Sequence, residues 1–372
     1  MSGAQSDDLT CDLFTSSADV DADEWSSVCD VATNPFMDLR FLNVLNRSIT
    51  SETQTWGALI RDSTGRPVAA TCFSLYRVDG ALMLPNWLRP PTELIRRLFP
   101  RYLSIPLLIC GHPVGVGQSH LQMRPGTDPT ALVEVLDRTA QELARSHKAK
   151  LILFKEFTQS EADELQSLTT RSYACSQSVL TWTLNSEWTT FDDYYATRSK
   201  RTRANMRKYS GQLEAAGMTF EQRQGAEGVP ELFTDDVYRL YENVLDRAAF
   251  RFEKVPLSFF QELAREFPEE SRFAFIRQAD SVVGFTCGLG TGQHHALLYC
   301  GIDYERNEEA AIYFNTLYRG LAAAIDTGVQ TINVGQSADE FKRRLGCTSA
   351  PLFIFTKPIS PLLGLGFRLF VR

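Results

Sequence analysis

Two short stretches hold the residues best able to do chemistry. The first is Ile332–Gly346, which reads Ile-Asn-Val-Gly-Gln-Ser-Ala-Asp-Glu-Phe-Lys-Arg-Arg-Leu-Gly. Here Gln336, Lys342 and Arg343 can face a polar or anionic ligand at the end of a sheet, where α/β proteins usually keep their sites. The second is the run Arg198, Lys200, Arg201, Arg203, Arg207 and Lys208, with no acidic residue among them. Cations at helical spacing converge on one anion, such as a phosphate of a nucleotide, CoA, tRNA or lipid. Each stretch also fits a plainer reading: a well-capped corner in the first case, a solvated helix face in the second. Cys300 has the residue type for a covalent acyl-enzyme. On a strand, however, it points away from the face that holds Tyr299.

The elements around these residues follow from local chemistry. Val329–Val334 is β-branched enough for a short buried strand, and Gly335 permits a sharp exit from it. Ser337 and Glu340 have the spacing of a capping box. Lys342, Arg343 and Arg344 then suit the C-terminal turn of a helix that Gly346 stops, and Pro351–Phe355 reads as the next strand. Earlier, Ile105–Cys110 is a strand that runs into Gly111-His-Pro-Val-Gly-Val-Gly117. That turn lacks the Lys-Ser/Thr of a phosphate loop and no helix begins directly after it, so it reads as a flexible loop beside a cleft. Asn307–Asp326 reads as one long helix.

Composition narrows the classes. A chain of 372 residues has room for two domains. Its net charge of −7 argues against a generic nucleic-acid coat while allowing a local basic site. The eight cysteines have no metal-ligand spacing and fit free thiols, which together with the polar, acidic start predicts a cytoplasmic protein and no metal. No apolar run reaches the ~20 residues of a membrane helix. The order helix, hairpin, third strand, helix and strand occurs twice, at roughly half-chain spacing.

Three segments resemble the FemAB-like branch of the GNAT acyltransferase superfamily. They are Leu107–Pro113 with Leu151–Phe157, then Phe191–Arg203 continuing to Gly217, then Tyr299–Asp303 with Gly335–Gly346. The resemblance implies an α/β (α+β) fold of two GNAT-like domains, each a mixed central sheet flanked by helices. An acidic lead-in would occupy 1–30, the N-terminal domain 31–185, and the C-terminal domain, with the active site, 186–372. It further implies transfer of an acyl or aminoacyl group from an activated donor to a small-molecule or peptide amine, with no permanently bound cofactor. Backbone amides of a splayed strand, Leu297–Ile302, would hold the oxyanion. Asp303 would be the base or amine anchor, Tyr299 the acid, and Gln336 would orient the acceptor. Arg201, Arg203, Arg207, Lys342 and Arg343 would hold anionic parts of donor or acceptor.

Acyl-CoA and aminoacyl-tRNA are the two donors the resemblance offers. Relatives that use acyl-CoA bind its pyrophosphate on a glycine-containing loop, and here that place reads Arg306-Asn-Glu-Glu-Ala-Ala311. Glu309 replaces the glycine and Glu308 adds a second negative charge, which opposes a pyrophosphate. Aminoacyl-tRNA is the competitor, with the basic helix contacting its acceptor stem. A non-catalytic binding module that recognises a nucleotide-linked or peptide ligand is the rival from another class. The apolar end, 359–372, packs on the domain or touches a membrane or partner surface.

Overall fold

The computed structural model describes residues 9–48, 53–80, 89–99, 101–248, 253–336 and 338–359. Apolar runs bounded by turn residues build strands in both halves. The first half supplies β1 (Thr10–Phe14), β2 (Gln54–Arg61), β3 (Pro67–Asp79), β4 (Ser104–Cys110), β5 (Gln122–Met123), β6 (Leu151–Phe157) and β7 (Ala174–Asn185). The second supplies β8 (Met218–Gln224), β9 (Ser271–Gln278), β10 (Ser281–Thr291), β11 (His294–Ile302), β12 (Thr331–Asn333) and β13 (Thr348–Pro358). They join into one mixed sheet in the order β1-β2-β3-β4-β6-β13-β7-β12-β11-β10-β9-β8, with β5 on β3.

The duplication inferred from element order is visible in the pairing. An antiparallel β2–β3–β4 group ends in parallel β4–β6, and an antiparallel β9–β10–β11 group ends in parallel β11–β12. The two halves interleave at the middle. β13 lies between β6 and β7, while β7 pairs with β12, so each half lends a strand to the other's edge. Phe355 of β13 accordingly sits in the first-half core, fully buried.

Helices cover both faces: α1 (Ala22–Ser26), α2 (Leu39–Ser48), α3 (Arg89–Leu98), α4 (Pro129–Ser146), α5 (Gln159–Glu164), α6 (Phe191–Thr197), α7 (Lys200–Ala215), α8 (Val229–Leu232), α9 (Asp235–Arg247), α10 (Leu257–Glu266), α11 (Tyr304–Ala310), α12 (Ile312–Ile325) and α13 (Asp339–Leu345). An aromatic core joins the halves, with Phe41 of α2 against Phe259 of α10 at 6.3 Å between ring centroids. Burying each such ring contributes roughly 1.5–3 kcal/mol, which makes the two halves one packed body.

Two expectations need correction. The stretch 1–30 is more than a lead-in. Thr10–Phe14 pairs with β2, and Trp25 is buried with its indole donating to the Met37 carbonyl at 2.7 Å, while residues 1–8 lie outside the described residues. Asn307–Asp326 is not one helix either. The chain breaks at Ala311, whose φ of 49° is left-handed. The Asn307 side chain stabilises the break by accepting from Tyr313 N at 2.7 Å, and Asn315 Nδ2 donates to the carbonyls of Ala310 and Ala311.

Candidate functional site

Both parallel strand pairs open into a V. β11 and β12 pair only from His294↔Thr331 to Ala296↔Asn333, after which Gly335, at φ 79°, turns the chain away. From Leu297 to Ile302 that edge of β11 has no strand partner among the described residues. Against β10 the register jumps at Cys287/Gly288, so Leu298 bulges and the strand bends there. A bent strand with a free edge is the arrangement expected for Leu297–Ile302, because it presents backbone amides to a ligand. β4 and β6 likewise part after Cys110↔Phe154, and β6 runs on through Lys155 and Glu156.

Charged residues collect where the two openings meet. Glu156 has φ 67° in mid-strand, a left-handed conformation that costs a non-glycine residue about 1–3 kcal/mol. Its Oε2 lies 3.2 Å from Lys155 Nζ, and both side chains are only 7% exposed. Its Oε1 accepts from Gln336 Nε2 at 3.0 Å, so the first half's strand end meets the turn after β12. The Gly111–Gly117 loop packs over this pair, and a Cβ at Gly115 would collide with the Glu156 carboxylate. Val114 and Val116 of the loop are buried in the aromatic core, which corrects the expectation of flexibility.

Beside the pair stands Glu253, in the segment between α9 and α10. Two tyrosine hydroxyls pin that segment: Tyr76 accepts from Lys254 N at 3.1 Å and Tyr241 from Val255 N at 3.2 Å. The Glu253 carboxylate accepts from Tyr299 Oη at 3.3 Å. Its pKa is pushed up to about 7, chiefly by desolvation; the charge of Lys155 works against the rise and that of Glu156 adds to it. Tyr299 packs against Tyr241, Phe259 and Phe260, and burial holds its phenol well above the ordinary tyrosine range.

On the opposite face of β11, Cys300 stands near Lys342 of α13. Burial pushes the Cys300 thiol up to about 11, with the Lys342 charge opposing the rise, so it is a poor nucleophile at neutral pH. Burial also lowers Lys342 to about 8, partly offset by Cys347, Asp339 and Cys300. The Lys342 ammonium makes no hydrogen bond or ion pair among the described residues. The free edge of β11 is thus flanked by a near-neutral carboxyl on one face and an unpaired buried amine on the other.

The structure brings Tyr299, Gln336 and Lys342 to this opening. Asp303, expected as base or anchor, is engaged elsewhere. It caps α11, accepting from Glu305 N at 3.0 Å and Arg306 N at 3.4 Å, and pairs with the Arg306 guanidinium at 2.5 Å. The carboxylate beside Tyr299 is Glu253 instead. Arg203 donates to the carbonyls of Ala196 and Arg198 and so braces the α6–α7 corner. Arg201 and Arg207 are exposed on α7 without partners among the described residues. Arg343 lies over the Trp182 ring at 5.7 Å. Gly346 ends α13 as expected, at φ 86°; Ser337 falls outside the described residues, while Ala338 takes the N-cap position and Glu340 pairs with Arg344, so Glu340 is not engaged as a capping box would have it.

Three residues of the site, Lys155, Glu156 and Glu253, were missed by sequence reasoning. The first two had a signal, a Lys-Glu pair breaking an otherwise apolar strand. Glu253 had none, since its segment has no periodicity. At the start of α12 the Asn307 side chain accepts from Tyr313 N, the amide of the helix's second residue, and Glu308 and Glu309 of α11 are exposed beside it. Two surface hollows elsewhere carry charges that already pair with each other, Arg66 with Asp62 in one and Arg40 with Glu270 in the other.

Among solved structures, a tandem GNAT protein from the clavulanic acid biosynthesis pathway superposes with a TM-score of 0.52 at 12% identity, over 95% of this chain and 99% of that one. FemX superposes with a TM-score of 0.51 at 12% identity, over 86% and 91%. At these identities the likeness establishes the fold, two GNAT-like units in tandem. No curated protein matches the chain by sequence. The model of the FemAB-like family, described as peptidoglycan biosynthesis/recognition, matches residues 16–353, and on that coverage this chain belongs to the FemAB-like family.

Proposed function

We propose that this protein is an N-acyltransferase that moves an aminoacyl group from aminoacyl-tRNA to an amine borne by a peptidoglycan precursor. The observation that carries the reading is the Glu253–Tyr299 pair beside the free edge of β11. A carboxyl with a pKa of about 7 is suited to accept a proton near neutral pH. The acceptor amine attacks the ester carbonyl, and an N–C bond forms as the C–O bond to the carrier breaks. Glu253 takes the proton that the amine loses, and Tyr299 positions Glu253 through its hydroxyl. Backbone amides of Leu297–Ile302 and the Lys342 charge stabilise the oxyanion, and the departing alkoxide receives a proton, relayed from Glu253 or from solvent. Glu156 and Gln336 shape the acceptor side. The family's description supports the precursor as acceptor.

The donor assignment rests on two features. The Asn307 side chain on Tyr313 N and the exposed Glu308 and Glu309 oppose a CoA pyrophosphate at the start of α12, and the basic face of α7 suits an RNA backbone. Purified protein is therefore expected to gain thermal stability with a charged-tRNA pool and none with acetyl-CoA or longer acyl-CoAs, since a bound donor raises the melting temperature by mass action. Arg201→Ala combined with Arg207→Ala should weaken tRNA binding about tenfold at low salt and reduce its salt dependence. A shift with CoA esters alone would overturn the donor assignment. Donor binding with no transfer to any amine would favour the non-catalytic binding module.

A further inference from the structure

α3 carries its apolar side chains on the outside. Leu94, Ile95, Leu98 and Phe99 are 63%, 38%, 79% and 66% exposed, and Tyr102 just beyond is 42% exposed. These are five of the eight large hydrophobics exposed among the described residues. The helix is anchored by its polar side. Arg96 pairs with Asp79 through NH1 at 2.8 Å and donates through Nε to the Tyr102 carbonyl at 2.9 Å. Leu94 and Leu98, and Ile95 and Phe99, stand four residues apart and so form one contiguous outward face.

The same segment is basic in an acidic chain. Residues 89–102 hold four arginines against one glutamate, within a protein of net charge −7. Arg97 is exposed beside the apolar face. Leu and Phe interleaved with Arg on a single exposed helix is the pattern of a segment that lies in a bilayer interface, with apolar side chains entering the acyl boundary and guanidinium groups reaching lipid phosphates. A second copy of the chain is a poor occupant, because a two-fold contact would set this basic surface against itself. No helix among the described residues is long and apolar enough to cross a membrane, so the contact is peripheral.

We propose that α3 docks the protein onto the surface of a bilayer containing anionic lipids. Docking stands on exposure and charge, independently of the acyl-transfer reading.

The test is co-sedimentation of the full chain with phosphatidylcholine vesicles and with equimolar phosphatidylcholine/phosphatidylglycerol vesicles. Binding is expected to the second and to be at least about tenfold weaker to the first. Leu98→Ser with Phe99→Ser, and separately Arg97→Glu, should each weaken binding about tenfold without changing the melting temperature, because all three side chains are exposed. Two outcomes would overturn the proposal: no preference for the anionic vesicles, or binding that the α3 variants leave intact. Light scattering supplies a third, a lipid-free dimer that Leu98→Ser dissociates, which would make the face a protein interface.

Discussion

Glu253→Gln is expected to lower kcat by about 10²- to 10⁴-fold, the range for removing a general base, while raising the melting temperature at pH 8. Both effects come from the same desolvation. The wild-type rate should rise with pH through about 7, as Glu253 loses its proton, and the variant should lack that rise. For stability, the unfolded carboxyl ionises near 4.5 whereas the folded one holds its proton to about 7. Between those values the unfolded state binds fewer protons, so wild-type stability falls as pH rises from about 4.5 to about 7 and is then level. Discounted for partial exposure, the amount is about 1–2 kcal/mol, or about 1–3 °C for a chain of this size. Asp303→Ala is the contrasting variant. It removes the cap of α11 and should cost about 1 kcal/mol while leaving the pH profile in place. A pH-rate rise that survives in Glu253→Gln would remove Glu253 from the base role.

These contrasts mark how far the sequence could be read. The fold was legible because its signals are local and periodic: Pro129–Ser146 has an apolar stripe at helical spacing, and the hairpin strands have turn residues between them. The repeated order of elements was enough to predict two similar halves. The interleaving of β7 and β13 was not legible, since either strand could complete either half and only packing of Phe355 against the first core decides. In the candidate site, Gln336 and Lys342 follow a strand-ending glycine, where side chains are forced towards an opening. Asp303 stands at a strand's mouth, yet an Asp just before a helix has a competing use as a cap, and capping prevails. Glu253 acquires its chemistry from burial among residues distant in sequence, Tyr76, Lys155 and Tyr299, and no short window contains that information.

The second large effect is expected at Lys342. Its ammonium is buried without a partner, beside the free edge of β11, and its pKa is lowered to about 8. Leaving a cation unpaired there costs stability, and it is useful only if negative charge arrives during function, as an oxyanion or as part of the donor. Lys342→Met keeps the stem and removes the charge, so kcat should fall by about 10²- to 10³-fold. Stability near pH 7 should rise by roughly 1–3 kcal/mol, because the desolvated charge is gone. The wild type should become more stable as pH rises from about 8 to about 10.5, where the unfolded state keeps a proton that the folded state has lost, and the variant should not. Activity needs Lys342 charged and Glu253 ionised, so the wild-type rate should peak between about pH 7 and 8 and decline above. Losing Lys342 removes the alkaline limb and losing Glu253 the acidic one. If the decline above pH 8 persisted in Lys342→Met, the titrating group would lie elsewhere, and Lys342 would be a donor-anchoring residue whose loss raises KM instead of lowering kcat.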